Sequence, residues 1–118
     1  MMEITMARGD LEIRQFRILD TDGEPFTDAL DEIYFTVKRE AAFPDYVIQK
    51  RLGNGEIVPM GDGVYQFTIE PEDTDGLEFR SYDFDIELVI NGQLKKTYLG
   101  RLNLLKEVTH AVNEVTAP

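Results

Sequence analysis

Apolar residues in this chain recur at every second position over short runs, and clusters of turn-forming residues separate the runs. That period of two belongs to half-buried β-strands. The longest run is Ser81 to Ile90. Tyr82, Phe84, Ile86, Leu88 and Ile90 share one parity, and Ser81, Asp83, Asp85 and Glu87 the other. Two further runs alternate as cleanly, which predicts core-facing Ile33, Phe35 and Val37 in one, and Tyr65, Phe67 and Ile69 in the other. Tyr46 to Leu52 reads as a weaker strand, and Ile57-Val58 as a short one that stops before Pro59. Between Leu11 and Leu19 the alternation slips, because Leu11 and Ile13 have one parity while Phe16 and Ile18 have the other. A bulge near Arg14–Gln15 would bring both pairs to the core face.

Turn chemistry divides these runs. Asp20-Thr21-Asp22-Gly23 lies just ahead of Pro25, and Gly53-Asn54-Gly55 and Gly61-Asp62-Gly63 mark two more reversals. Asn91-Gly92 is the preferred pair for a two-residue type I′ hairpin. Such a turn sets Glu87 opposite Lys96 and Asp85 opposite Tyr98. Strict alternation would then aim Leu102 and Leu104 away from the core that Leu99 faces, and Gly100 is the natural place for a bulge that restores them. Glu70 to Leu77 predicts one short helical turn near residues 71–76, with Pro71 at its first position, acids at its start and Gly76 at its exit. Residues 26–32 offer another short turn. The fold class that follows is all-β, an immunoglobulin-like antiparallel β-sandwich of seven or eight strands. Residues 1–109 form a single domain, and 110–118 a C-terminal tail. Val108, Ala111, Val112 and Val115 stand at helical spacing near that end, which reads either as a fraying terminus or as an arm that docks on something.

Composition narrows the chemistry. The chain has 118 residues and a formal charge of −11, from 12 basic and 23 acidic side chains. A balance this acidic disfavours phosphate-driven binding to nucleic acid and attachment to anionic membranes. No cysteine is present, which removes disulfides, thiolate nucleophiles and cysteine-based zinc sites. His110 is the only histidine and Ser81 the only serine, so a Ser–His–acid triad would need that one pair, from a strand and from the tail. The first eight residues lack the apolar stretch of a signal peptide, and no run approaches a membrane span. Synthesis in the cytoplasm is expected. The two Gly-x-Gly pairs, at 53–55 and 61–63, lack the residues that make a phosphate cradle.

The acids are concentrated. Residues 70–87 hold eight of them against Arg80 alone. Three uses compete: a solvated face that meets a partner, a calcium site built from Asp83, Asp85, Asp73 or Asp75, and a glycosidase pair. Asp20, Asp22 and Glu24 begin like a calcium-binding loop, but Gly23 comes two positions early and Asp31 stands where a Glu is needed. Arg8-Gly9-Asp10 spells the integrin tripeptide, which is also ordinary turn chemistry ahead of a strand. Candidate interface residues are the outward Tyr34, the cross-strand group Glu87, Lys96 and Tyr98, and Val108 and Val112 of the tail.

In order along the chain, several segments resemble the N-terminal β-sandwich domain of tailed-bacteriophage baseplate upper proteins and related small virion proteins of phages and prophages. They are Met6-Ala7-Arg8-Gly9-Asp10, Asp20-Thr21-Asp22-Gly23-Glu24-Pro25, Ile33 to Lys38, Gly63 to Ile69 with Pro71-Glu72-Asp73-Thr74, Tyr82 to Leu88, and Gly100 to Thr109. The resemblance implies a non-enzymatic virion building block, made in the bacterial cytoplasm, that assembles with other tail or baseplate proteins or with its own copies. It brings no catalytic residues and no cofactor. Members of that family continue into a distal region, so a chain of this length is expected to serve as a stand-alone tail component or adaptor. A calcium- or carbohydrate-binding sandwich used in surface attachment is the alternative expectation, and an adhesion domain cut from a larger surface protein is a third.

Overall fold

The computed structural model describes residues 1–106 of the chain, and at Lys95 the backbone alone. Val108, His110 and Val112 lie outside the described residues. Eight strands form: β1 (Met2–Ala7), β2 (Glu12–Arg17), β3 (Glu32–Lys38), β4 (Ile48–Arg51), β5 (Ile57–Gly61), β6 (Val64–Ile69), β7 (Ser81–Ile90) and β8 (Gln93–Leu105). A five-stranded sheet in the order β1-β8-β7-β3-β4 and a three-stranded sheet in the order β2-β6-β5 enclose the core. The all-β sandwich is therefore present. One strand pair departs from the predicted antiparallel plan, because β1 runs parallel to β8. Only Ile4 and Met6 of β1 are buried, so its alternation gives a weak signal.

Phe35 makes the central contact between the sheets. Its ring stacks on Phe67 of the smaller sheet at 4.2 Å and tilts against Phe84 of its own sheet at 5.1 Å. Ile33, Phe35, Val37, Phe67 and Ile69 are buried as their alternation predicts, as are Tyr82, Phe84, Ile86 and Leu88. In β2 the predicted bulge near Arg14–Gln15 is absent, and β2 pairs with β6 in one continuous register. Phe16 packs against the core and Ile18 is buried in it, while Leu11 and Ile13 stay exposed on the opposite parity. Exposed apolar side chains on a surface strand are tolerated, because folding does not require every one to be covered. β5 also continues past Pro59 to Gly61. It is an edge strand, where a missing N–H need not interrupt a ladder.

The Asn91-Gly92 turn has positive φ at both residues, 53° and 75°, as a type I′ hairpin requires. The bulge beyond it falls at Lys95 and not at Gly100, since Val89 pairs with Leu94 and Leu88 already with Lys96. One inserted residue shifts every later pair. Glu87 thus faces Thr97 and Asp85 faces Leu99, in place of the predicted Lys96 and Tyr98. The same shift puts Leu102 and Leu104 in the core and leaves Leu99 outside. Gly100 remains in register opposite Phe84. A Cβ there would lie 2.2 Å from the Phe84 ring and 2.7 Å from the Met2 carbonyl oxygen. Glycine is thus what lets β1, β8 and Phe84 close together.

The predicted helical turn is a 3-10 turn over Pro71–Thr74. Glu70 N–H donates to Asp73 Oδ2 (2.7 Å), and the same oxygen receives Lys50 Nζ at 2.7 Å. Lys50 comes from β4, where it pairs with the core residue Phe35. This ion pair joins the five-stranded sheet to the 3-10 turn. Residues 26–32, offered as a turn, contain no helical element before β3 begins.

Candidate functional site

Alternation in β7 sends Asp83, Asp85 and Glu87 to the outer face of the larger sheet. Each sits in a cross-strand row: Lys38–Asp83–Arg101, Thr36–Asp85–Leu99 and Tyr34–Glu87–Thr97. Asp83 is already engaged, because Ala41 N–H donates to its Oδ2 (3.0 Å) and Arg101 Nε lies 4.0 Å from its Oδ1. Asp73 is held by Lys50, and Asp75 ends the 3-10 turn. The four calcium candidates are therefore divided between a strand face and a separate turn. Among the described residues, no three acidic or histidine side chains are grouped to hold one metal ion. Asp20 Oδ1, the start of the loop that begins like a calcium site, accepts N–H donation from Asp22 (2.9 Å) and Glu24 (3.0 Å).

Asp85 is the least satisfied of these acids. Its Oδ1 is buried without a hydrogen-bond partner. Burial pushes its carboxyl above the usual range, the neighbouring Glu87 adds to the rise, and Lys38 opposes it. A raised folded-state value means that the folded chain binds this proton more tightly than the unfolded chain. Its favourable contribution is complete below the unfolded value and is lost as pH rises through the folded one, leaving a net cost at neutral pH. Asp85→Asn is expected to stabilise the fold by roughly 0.5 kcal/mol at pH 7, a figure reduced for solvent screening, with the gain vanishing in acid. Urea unfolding at pH 7 and near pH 3 measures this. An equal gain at both pH values would show that the charge of the Asp85 carboxylate is not the cause.

Glu32 shows the opposite balance. Burial raises its carboxyl, but donation from Arg51 and from the N–H groups of Gly53 and Ile33 outweighs burial and holds it below the ordinary value. Arg51 also lies over the Tyr34 ring, 5.4 Å from its centre. The interface candidate Tyr34 is thus half-buried on the outer face and in contact with its own chain. Arg8 of the integrin-like tripeptide stacks on Phe79 at 4.3 Å, and Gly9 N–H donates to the buried Thr74 Oγ1 (2.9 Å). That tripeptide secures the turn between β1 and β2 against the 3-10 turn.

Lys96 and Tyr98, expected to meet Glu87 and Asp85, instead lie opposite Leu88 and Ile86 on the inner side of the sheet. There they help line an open groove of about 490 Å³ with Ile18, Phe26, Leu88 and Ile90. The adjoining edge is the feature that sequence reasoning missed. β1 covers β8 only from Gly100 to Leu105. Over Leu94–Leu99, β8 has β7 on one side and, among the described residues, no strand on the other. Leu94 is 56% exposed, Leu99 65% and Tyr98 36%. The cause is length, since a 13-residue strand cannot be covered by a six-residue neighbour. Among the described residues no helix is long and apolar enough to cross a membrane. No protein-family model matches the chain, and no curated protein matches it in sequence.

Proposed function

We propose that this chain is a non-enzymatic structural component of a phage or prophage virion, of the tail or baseplate, that works through contacts with its own copies and with other virion proteins. The observation that carries the reading is the open edge at Leu94–Leu99, with three large apolar side chains exposed beside an apolar groove. Open edges present unpaired N–H and C=O groups, and proteins that must stay apart blunt them with proline or charge. β5, one of the two edges of the smaller sheet, carries Pro59. The Leu94–Leu99 edge carries no proline; it presents two leucines and a tyrosine, with Lys96 among them as its charge. The ordered resemblance to baseplate upper proteins supports the same reading, and the cell that makes the chain would be the bacterial host.

Native molar mass by size exclusion with light scattering is the test, at low and moderate salt. A trimer, a hexamer or a larger ring is expected. Moderate salt should favour assembly wherever acidic surfaces meet, because each chain carries a charge of −11 and salt screens that repulsion. The mass of one chain in every condition, together with absence from purified tail particles of the producing cell, would overturn the reading.

A further inference from the structure

The outer face of the smaller sheet is poor in charge, in a chain whose residues are 30% charged. Ile13, Gln15 and Arg17 of β2 point outward and pair with Thr68, Gln66 and Val64 of β6. Val58 of β5 joins this face opposite Gln66. Arg17 is the one charge among these seven outward side chains, and none of them is acidic. The outer face of the larger sheet, by contrast, carries Lys38, Asp83, Asp85, Glu87 and Arg101 in its rows. Large apolar side chains are also exposed on the smaller sheet. Ile13 is 53% exposed and Val58 44%, with Leu11 at 55% just ahead of β2 and Met60 at 51% on β5. A single exposed apolar residue is ordinary, but four on one three-stranded sheet make a patch, and patches mark contacts. Depletion of charge is what distinguishes the core of a protein interface from the rest of a surface.

Charge decides what covers the face. Each copy of the chain carries −11, so two copies repel wherever their acids are brought together. This face lets them meet without burying a carboxylate. It is also complementary to itself. Gln15 Nε2 donates to Gln66 Oε1 (2.9 Å), and each amide has both donors and acceptors, so the pair can bond its own image. A two-fold axis crossing the strands between the Ile13–Thr68 and Gln15–Gln66 pairs keeps the two Arg17 residues apart. It sets each Arg17, at one end of β2, against the partner subunit's Leu11 and Asp10 at the other end. The arginine stem then covers the leucine while its guanidinium meets the aspartate. We propose that two copies pack the outer faces of their smaller sheets together about this axis, as aligned sheets do in a sandwich. Three strands ~4.8 Å apart and six residues of ~3.4 Å each give a footprint of roughly 15 by 20 Å. That is below the ~800 Å² per partner of a standard interface, so the pairing is reversible and depends on concentration. The contact is separate from the open edge of β8 and stands without it.

Sedimentation equilibrium of the full chain, from micromolar to millimolar concentration, tests the proposal. Leu99→Glu, which places an acid on the open edge of β8, is expected to leave a reversible species of two chains. Adding Ile13→Glu or Val58→Glu should weaken that species at least tenfold, because each copy then brings an acid to the shared face. Both positions are exposed, and an unchanged urea midpoint will show that the fold is intact. A Leu99→Glu chain that stays single at every concentration overturns the inference, even if another virion protein binds the face. So does a two-chain species that neither added acid weakens. As a second readout, Gln66→Cys introduces the only thiol into a chain without cysteine, close to the axis. A bis-maleimide reaching the ~10 Å between packed sheets is expected to join this variant in pairs. Arg101→Cys, on the outer face of the larger sheet, should stay unlinked. Equal linking of the two, or none in either, would overturn the inference. Large wild-type assemblies that Leu99→Glu reduces to single chains would leave the proposed function standing and remove this contact.

Discussion

Phe35→Ala is expected to destabilise the fold by about 3–5 kcal/mol, the range for deleting a fully buried phenylalanine. Its ring lies between Phe67 and Phe84 and is inaccessible to solvent, so removal takes away the central contact between the sheets and leaves a cavity. The surrounding strands cannot collapse into that space without shifting the β3 ladders to β4 and β7. Urea unfolding should show a much lower midpoint with little change in slope. Phe35→Leu, which retains most of the volume, should cost less than half as much. Equal costs for the two variants would mean that the cavity is not the cause.

Asp73→Ala is expected to cost a similar amount, about 3–5 kcal/mol, for an electrostatic reason. The Lys50 side chain is only 8% exposed and sits on the core side of β4, with Asp73 Oδ2 at 2.7 Å. Without that carboxylate an ammonium group remains buried and uncompensated, and the Glu70 N–H loses its acceptor as well. Lys50→Met should be milder, because Asp73 is 22% exposed and water can replace its partner. The double variant Lys50→Met with Asp73→Ala should recover much of the loss, since apolar replacement of a buried pair is often tolerated. Equilibrium unfolding of the three variants gives the coupling directly. A loss below about 1 kcal/mol for Asp73→Ala would show that the pair behaves as a surface one.

The two interior sheet faces were legible because their alternation is complete. Ile33, Phe35 and Val37 or Tyr82 to Leu88 leave no other parity to bury, and Asn91-Gly92 has one strongly preferred turn. Less legible features depended on partners distant in sequence. Nothing local to Met2–Ala7 says that it pairs in parallel with Gly100–Leu105. The bulge at Lys95 lies in a polar stretch, where inserting a residue changes no hydrophobic pattern until Leu99 and Leu102. Leu11 and Ile13 suggested a bulge because apolar residues were expected to be inside, whereas a surface strand leaves them exposed. The candidate site divides in the same way. The outward row Asp83, Asp85 and Glu87 could be read from the chain, but not that Lys50 would claim Asp73, nor that β1 would stop short on β8.

The parallel pairing of β1 with β8 also orders events during synthesis. β1 is made about a hundred residues ahead of its ladder partner, because Met2 meets Gly100. Until then Ile4 and Met6 have no sheet to join, and the hairpin of β7 and β8 must form before the last slot exists. This is the longest sequence separation of any strand pairing among the described residues, and its loop-closure cost is repaid only at the end. The domain therefore stays unsealed along one side until β8 has been made, and a late docking step by β1 completes it.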